Sequence, residues 1–433
     1  MPKKRDHGQG ALYKIRGGAM WRGVIQLEAD PETGKRRQKY VHAKTQRACK
    51  DKLDEALREI AEHGAPLDKT TTVAAWAPRW LDERRKVVDP NTYETYGGSV
   101  KWIVRAIGNK RLSALKPSDV TAVRDAIVSA GRSTGTARQA YFVLSMMLDA
   151  AKAERLTPRN VAEDVKAPKR TPTPRGEIPM DDALHILAKA AAMPMSAGSR
   201  WWASLLTGMR QGEVLGATIA DLDLEAGVYE VAWKLEEISR DHGCGEQMPE
   251  GWPCGKVRGA ACPQAQWREP DGFEKVQIDG RWHLTRPKSE KGWRVVPIIP
   301  QLAEAIRRWL DATKDWPNPH GLIWRHEDGS PILPRDDAQD WRDLLHTAGV
   351  ITAEQTGPGG TKLTGHWARH TTVTVLASLG VDVQLIGEIV GHSSAQVTAM
   401  YRHARVAEKK AAMEALGGVW ADALTLPALE AGE

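Results

Sequence analysis

Four cysteines and two phenylalanines are all that the 433 residues contain of these types. Cys49, Cys244, Cys254 and Cys262 are too few for a disulfide framework in a chain of this length, so reduced thiols are expected. No run of about 18 apolar residues occurs, which excludes a membrane-spanning helix. The opening stretch MPKKRDHGQG is basic but lacks the apolar middle region of a secretory signal, so a cytoplasmic protein is expected. There is no glycine-rich loop ending in Gly-Lys-Ser or Gly-Lys-Thr, the segment that cradles nucleotide phosphates, and chemistry driven through such a loop is excluded. Against the two Phe stand 17 Trp, a bias for which the sequence offers no physical reason.

Acidic residues are sparse in the first part of the chain. Residues 1–65 hold 15 Lys and Arg against 9 Asp and Glu, and residues 66–175 hold 20 against 11, whereas the remainder holds 26 against 35. The overall charge of +6 therefore conceals a basic first part and an acidic second part. A basic region of this size gains affinity for a polyanion by displacing counterions from its phosphates. A solvated basic surface would leave the same trace.

A content of 41% hydrophobic and 27% charged residues marks a globular protein, and the length exceeds what one core usually serves. Three domains are expected. Alternation in LYKIR and WRGVIQL, the glycine pair 17–18 and the turn segment DPETGK before RRQKYVHA predict a small three-stranded sheet. Leu53, Ala56, Leu57 and Ile60 at helical spacing, with Thr45 as cap, predict a helix after it. This unit covers 1–65, and Lys35, Arg36, Arg37 and Lys39 are its candidate DNA contacts. After a linker at 66–72 the pattern turns helical. Stripes through Trp76, Trp80 and Leu81, through Tyr93, Tyr96, Val100, Ile103, Val104 and Ile107, and through 118–130 and 136–153 predict a four-helix domain within 66–166. The proline-rich segment 167–178 reads as a linker. From 179 to 415 helices mix with a few strands, and 416–433 reads as a tail. The fold class is thus multidomain and mainly α, with α+β parts and a mixed α/β domain last.

Four stretches in that last domain hold the side chains that phosphoryl transfer needs: TGMRQGEVLG, RPKSEKGWRVVPI, LTGHWARHTTV and GHSSAQVTAMYRH. A phosphodiester under attack spreads charge over its non-bridging oxygens, which paired guanidiniums such as Arg210 and Arg369 match in geometry. His392 adds a donor. Tyr401 offers a phenol as nucleophile, which needs a base or a strongly positive surrounding, and His366, three residues before Arg369, is placed to help it. Lys288, between RPK and WRVVPI, is expected at the tip of a hairpin as general acid. Glu213 is expected to orient Arg210; a buried salt bridge fits it equally. His366 and His370 have the spacing of two zinc ligands on a helix, but Trp367 stands where a metalloprotease carries its Glu.

In this order and spacing the four stretches resemble the tyrosine recombinase, or phage integrase, family. The resemblance implies a catalytic set of Arg210, Lys288, His366, Arg369, His392 and Tyr401, with no departure at any of them. It further implies a 3′-phosphotyrosyl intermediate, no cofactor in catalysis, and a homotetramer exchanging strands between two duplexes. The helical domain resembles the family's core-binding domain, which with the catalytic domain closes a clamp on the crossover site. The first unit resembles an arm-binding domain. Partners implied are double-stranded DNA at core and arm sites, an excisionase and a host DNA-bending protein, on the nucleoid in the cytoplasm. The alternatives are a type IB-like topoisomerase and a catalytically silent DNA-binding regulator of the same fold.

Residues 236–283 depart from the family as an insert. His242, Cys244, Cys254 and Cys262 within it are the ligand types of a tetrahedral structural zinc, although no CxxC pair occurs and a flexible loop would have the same composition.

Overall fold

The computed structural model describes residues 11–27, 38–63, 67–169, 177–248, 250–287, 293–391 and 406–420. The chain forms two compact units, Met1–Pro172 and Thr173–Glu433. No helix among the described residues is long and apolar enough to cross a membrane.

In the first unit, strands β1 (Ala11–Ile15), β2 (Met20–Gln26) and β3 (Gln38–Ala43) form an antiparallel sheet in that order, and helix α1 (Gln46–His63) packs on it. Thr45 caps the helix, its hydroxyl accepting from the Ala48 amide at 3.2 Å. Ile25, Leu53 and Ala56 make the small core. Close approach of helix and sheet is possible because residue 23 is glycine: a Cβ there would sit 2.7 Å from Val41 Cγ2 and 3.1 Å from Leu53 Cδ1.

A second core in the same unit belongs to α2 (Val73–Arg85), α3 (Pro90–Ile107), α4 (Pro117–Ser129) and α5 (Thr134–Ala153). Trp76 and Trp80 are fully buried there, and the Trp76 indole donates to the Met147 carbonyl at 3.0 Å. Helix starts follow the sequence: Thr72 and Ser133 cap α2 and α5, and Pro90 and Pro117 open α3 and α4. The expected linker at 66–72 is in its described part tied down, since the Asp68 amide donates to the Arg155 carbonyl at 2.9 Å and Thr72 bridges Arg111.

The second unit contains α6 (Met180–Ala191), α7 (Ser199–Thr207), α8 (Gln211–Leu215), β4 (Leu222–Asp223), β5 (Val228–Val231), β6 (Lys234–Glu237), β7 (Arg240–Asp241), β8 (Gln266–Trp267), β9 (Lys275–Asp279), β10 (Trp282–Thr285) and β11 (Arg294–Pro297). These are followed by α9 (Pro300–Ala312), α10 (Pro334–Thr347), α11 (Gly365–Ser378), α12 (Val383–Val390) and α13 (Val406–Val419). Two small antiparallel sheets, β11-β5-β4 and β6-β10-β9, and the ribbon β7-β8 lie among the helices.

Two expectations need correction. Lys288 was expected at the tip of a hairpin, but β10 and β11 do not pair with each other. Arg294 faces Val231 on β5 while Thr285 faces Lys234 on β6. The two strands thus lie in line along one partner segment, which crosses from sheet to sheet in two residues, Ala232 and Trp233. The chain carrying Lys288 has residues 286–293 over the same interval. The expected tail also begins too early: Leu416 and Trp420 are fully buried in the core of the second unit, and the Trp420 indole donates to Met180 Sδ at 2.8 Å. An Ala, Leu and acid composition concealed one large apolar anchor. The insert differs less. Its two ends, near 236 and 283, are the paired strands β6 and β10, and β9 adds a third strand to them.

Candidate active site

Arg210 stands at the N-terminus of α8, held there by Glu213. The carboxylate accepts from the Arg210 backbone amide at 2.9 Å and from its Nη1 at 2.7 Å. This is a helix-capping arrangement in which the acid also aims the guanidinium. Arg210 Nη2 donates to the carbonyl of Gly391 at 2.8 Å, the residue immediately before His392. Glu213 is buried, and a second arginine, Arg294 at the start of β11, donates to it through Nη2 at 2.8 Å. Arg294 Nε also donates to the Ile389 carbonyl at 2.8 Å, fastening the end of α12 to the same carboxylate. Gly391 has φ +73°, and a Cβ there would lie 2.9 Å from Arg294 Nη1, so both the turn and the close approach call for glycine.

Arg369, on α11, is 1% exposed. Its Nη1 donates to the Gly208 carbonyl at 2.7 Å, at the end of α7, and its buried Nη2 has no hydrogen-bond partner among the described residues. Burial, then the like charges of Arg210 and Arg294, lower its pKa to about 9, with Glu213 opposing. Within this cluster three guanidiniums face one carboxylate. The arrangement is a preorganised cationic recess with a buried donor left over, which suits an anion of one to two charges.

Of the residues expected from sequence, Arg210, Glu213 and Arg369 come together. His366 lies in the first turn of the same helix as Arg369, is exposed, and stands edge-on to His370 with ring centroids 4.7 Å apart. Lys288, His392 and Tyr401 lie outside the described residues, as do Lys35, Arg36 and Arg37. Lys39 is described: it pairs with Ile25 across the sheet and therefore lies on the face covered by α1. The open face carries Tyr13, Arg22, Tyr40 and His42, with Arg22 5.3 Å from the Tyr40 ring centre and donating to His42 Nε2 at 3.0 Å. His242, Cys244, Cys254 and Cys262 converge, with all their ligand atoms within 4.8 Å of one another.

Arg294 is the residue sequence reasoning passed over. Its signal is an arginine on the inward phase of a strand, level with buried Val296 two residues on.

Residues 274–408 match the model of the phage integrase family. That stretch is a phage integrase domain. The matched stretch contains Lys288, His366, Arg369, His392 and Tyr401 but not Arg210 or Glu213; Arg210 is joined to it through its hydrogen bond to the Gly391 carbonyl and through Glu213, clasped by Arg294. The chain is similar along its length to an integrase of Saccharopolyspora erythraea, at 24% identity over 92% of this chain and 94% of that protein. An integrase of Streptomyces ambofaciens is 27% identical over 92% of each. Among solved structures, the Tn1549 transposon integrase in complex with transposon right end DNA has the same fold, with a TM-score of 0.57 and 19% identity over 78% of this chain and all of that one.

Proposed function

We propose that the chain is a site-specific DNA recombinase, an integrase that cleaves and rejoins DNA through a 3′-phosphotyrosyl link and so moves a mobile element into or out of a DNA molecule. The observation that carries this reading is the buried Nη2 of Arg369, unpartnered among the described residues, beside Arg210 in a cluster with excess positive charge. A scissile phosphodiester carries one negative charge, and its share on the non-bridging oxygens grows as a nucleophile attacks. Arg210 and Arg369 donate to those oxygens most strongly at that point, which is differential stabilisation of the transition state. Glu213 keeps the Arg210 guanidinium from turning away, and the Gly208 carbonyl does the same for Arg369.

In the chemical step the Tyr401 oxygen bonds to phosphorus and the bond to the 5′ oxygen breaks. Lys288 gives a proton to the departing oxygen, His392 donates to the phosphate, and His366 takes up or relays the phenol proton. The phosphotyrosyl ester keeps the energy of the broken bond, so a second 5′ hydroxyl reverses the step without ATP, in accord with the missing nucleotide-phosphate loop.

The three-stranded sheet with its helix serves as the arm-binding domain, and the four-helix unit, in which Arg132 and Arg138 border a groove with Trp102 and Phe142, as the core-binding domain. Relatives named as integrases, including that of ICEBs1 in Bacillus subtilis, favour a mobile element as the source of the DNA. Four copies act on two duplexes, with an excisionase and a host bending protein setting direction.

The deciding experiment uses a nicked core-site duplex that loses a short oligonucleotide once cut. The wild type accumulates covalent DNA, whereas Tyr401→Phe binds the duplex and forms none. Arg210→Ala and Arg369→Ala slow attachment by about a hundredfold or more, the usual cost of one lost transition-state donor. Covalent product from Tyr401→Phe contradicts the reading.

A further inference from the structure

Between residues 239 and 277 Cys262 is the only buried residue among those described. A segment of this length without an apolar core needs another means of staying folded. The ribbon β7-β8 and the Asp241 carboxylate, which accepts from Arg268 Nε at 2.9 Å, tie its base. Among its described residues the loop between them, which holds most of its length, has one isolated bridge, Met248 to Gly251, and no hydrophobic cluster.

What that loop does have is four ligand-type side chains brought to one point. His242 follows β7 directly, Cys244 and Cys254 lie in the loop, and Cys262 closes the short turn before β8. Glycines with positive φ at 245, 251 and 255 let the chain double back between them. His242 stacks on Trp252 with ring centres 4.1 Å apart and planes within 6°. In that orientation Nδ1 stands 3.3 Å from Cys254 Sγ and 3.8 Å from Cys244 Sγ. A tetrahedral zinc with ordinary Zn–S and Zn–N lengths sets its N and S ligands about 3.6 Å apart. The two observed distances bracket that value. All the cysteines are free, and no disulfide pairing would use three thiols and an imidazole gathered at one point.

We propose that the insert is a zinc-binding knot in which His242 Nδ1 and the thiolates of Cys244, Cys254 and Cys262 hold one Zn(II). Four protein ligands fill the tetrahedron, which leaves no position for water or substrate, so the ion is structural and takes no part in DNA cleavage. Its place in the fold gives the knot a mechanical role. It closes the excursion between β6 and β9, two strands that flank and pair with β10, and β10 leads into the segment bearing Lys288. The inference does not depend on the recombinase reading.

The test uses the full-length protein, grown with zinc and purified without chelator. Elemental analysis is expected to give about one zinc per chain. Replacement by Co(II) is expected to give the visible bands of a tetrahedral site with sulfur-to-cobalt charge transfer. Paired Cys244→Ser and Cys254→Ser substitutions remove both signals, while Cys49→Ser, in the first unit, keeps them. Chelation exposes the insert to protease at sites protected in the zinc form. Less than about a tenth of an equivalent in the wild type, without cobalt bands, overturns the proposal whatever the variants do. So does undiminished metal in the double variant.

Discussion

Arg294 reaches both oxygens of Glu213, Nη2 to Oε2 at 2.8 Å and Nη1 to Oε1 at 3.3 Å, while Arg210 holds the same carboxylate from the other side at 2.7 Å. Charge pairs this deeply buried carry a large desolvation cost, which only multiple hydrogen bonds offset. Here the carboxylate has them, and the effect is to fix the position of the Arg210 guanidinium.

The pair makes stability depend on acid in a defined window. Burial pushes the Glu213 pKa up, but the Arg294 charge and hydrogen bonds, with the Arg210 amide and charge, outweigh it and bring it down to about 2 from an ordinary 4.5. Because the unfolded chain takes up this proton first, the stabilisation is complete above about pH 4.5 and is lost as pH falls toward 2. A gap of that size corresponds to roughly 3 kcal/mol. Melting temperatures of wild type and Glu213→Gln should therefore converge as pH falls from about 4.5 toward 2. Parallel curves would mean that Glu213 titrates normally.

Arg286 closes the base of the Lys288 segment. Its guanidinium lies 3.7 Å from the Trp233 ring centre and 5.0 Å from that of Trp293, which follows the segment, and it also pairs with Glu274 at 2.9 Å. On the proposed mechanism, a clamp at this point positions the Lys288 segment. Arg286→Ala is expected to slow cleavage about tenfold with duplex affinity unchanged, judged by the roughly 1 to 2 kcal/mol of a desolvated cation–π contact. A substrate with sulfur at the 5′ bridging position leaves without a proton, so it should restore the rate of both Arg286→Ala and Lys288→Ala. Failure to restore the first would show that Arg286 acts otherwise than through the general acid.

How much of this was legible beforehand follows from the range of each interaction. Helix starts depend on neighbours a few residues away, and the helices expected at 118–130 and 136–153 begin at Pro117 and Thr134, within two residues of those positions. That Arg210, Glu213 and Arg369 come together was legible because each sits in a short run of distinctive side chains. Arg294 was not, since its role rests on Glu213, far away in sequence, and a strand beginning with Arg looks like any edge. The Lys288 hairpin failed for a related reason: two strands with a short connection normally pair, but a bent partner, β5–β6, lay across both. The metal-ligand types could be read, and their spacing could not, because loops containing Gly and Pro bring irregularly spaced residues together.

Trp420 anchors α13 in the core of the second unit. Its side chain is fully buried, and its indole nitrogen meets Met180 at the other end of the unit's sequence. Trp420→Ala should cost about 3 to 5 kcal/mol in urea unfolding, as large-to-small changes of buried aromatics do. A loss under about 1 kcal/mol would return α13 to the status of a tail.

The first unit offers a test in which two nearby cations are expected to behave differently. Arg22 lies on the open face of the sheet with Tyr13, Tyr40 and His42, and Lys39 lies on the face that α1 covers, opposite Ile25. A sheet laid in a DNA groove reads with its open face, so Arg22→Glu should abolish arm-site binding and flatten its salt dependence, whereas Lys39→Glu should change affinity by about threefold or less. Core-site cleavage should survive both. The comparison is made by fluorescence anisotropy on arm and core duplexes across a salt series, with circular dichroism to check that Arg22→Glu, which also loses the His42 contact at 3.0 Å, still folds. If Lys39→Glu proves the more damaging in a folded protein, the contact runs through the edge of the sheet near β3, and the open face is not the reading surface.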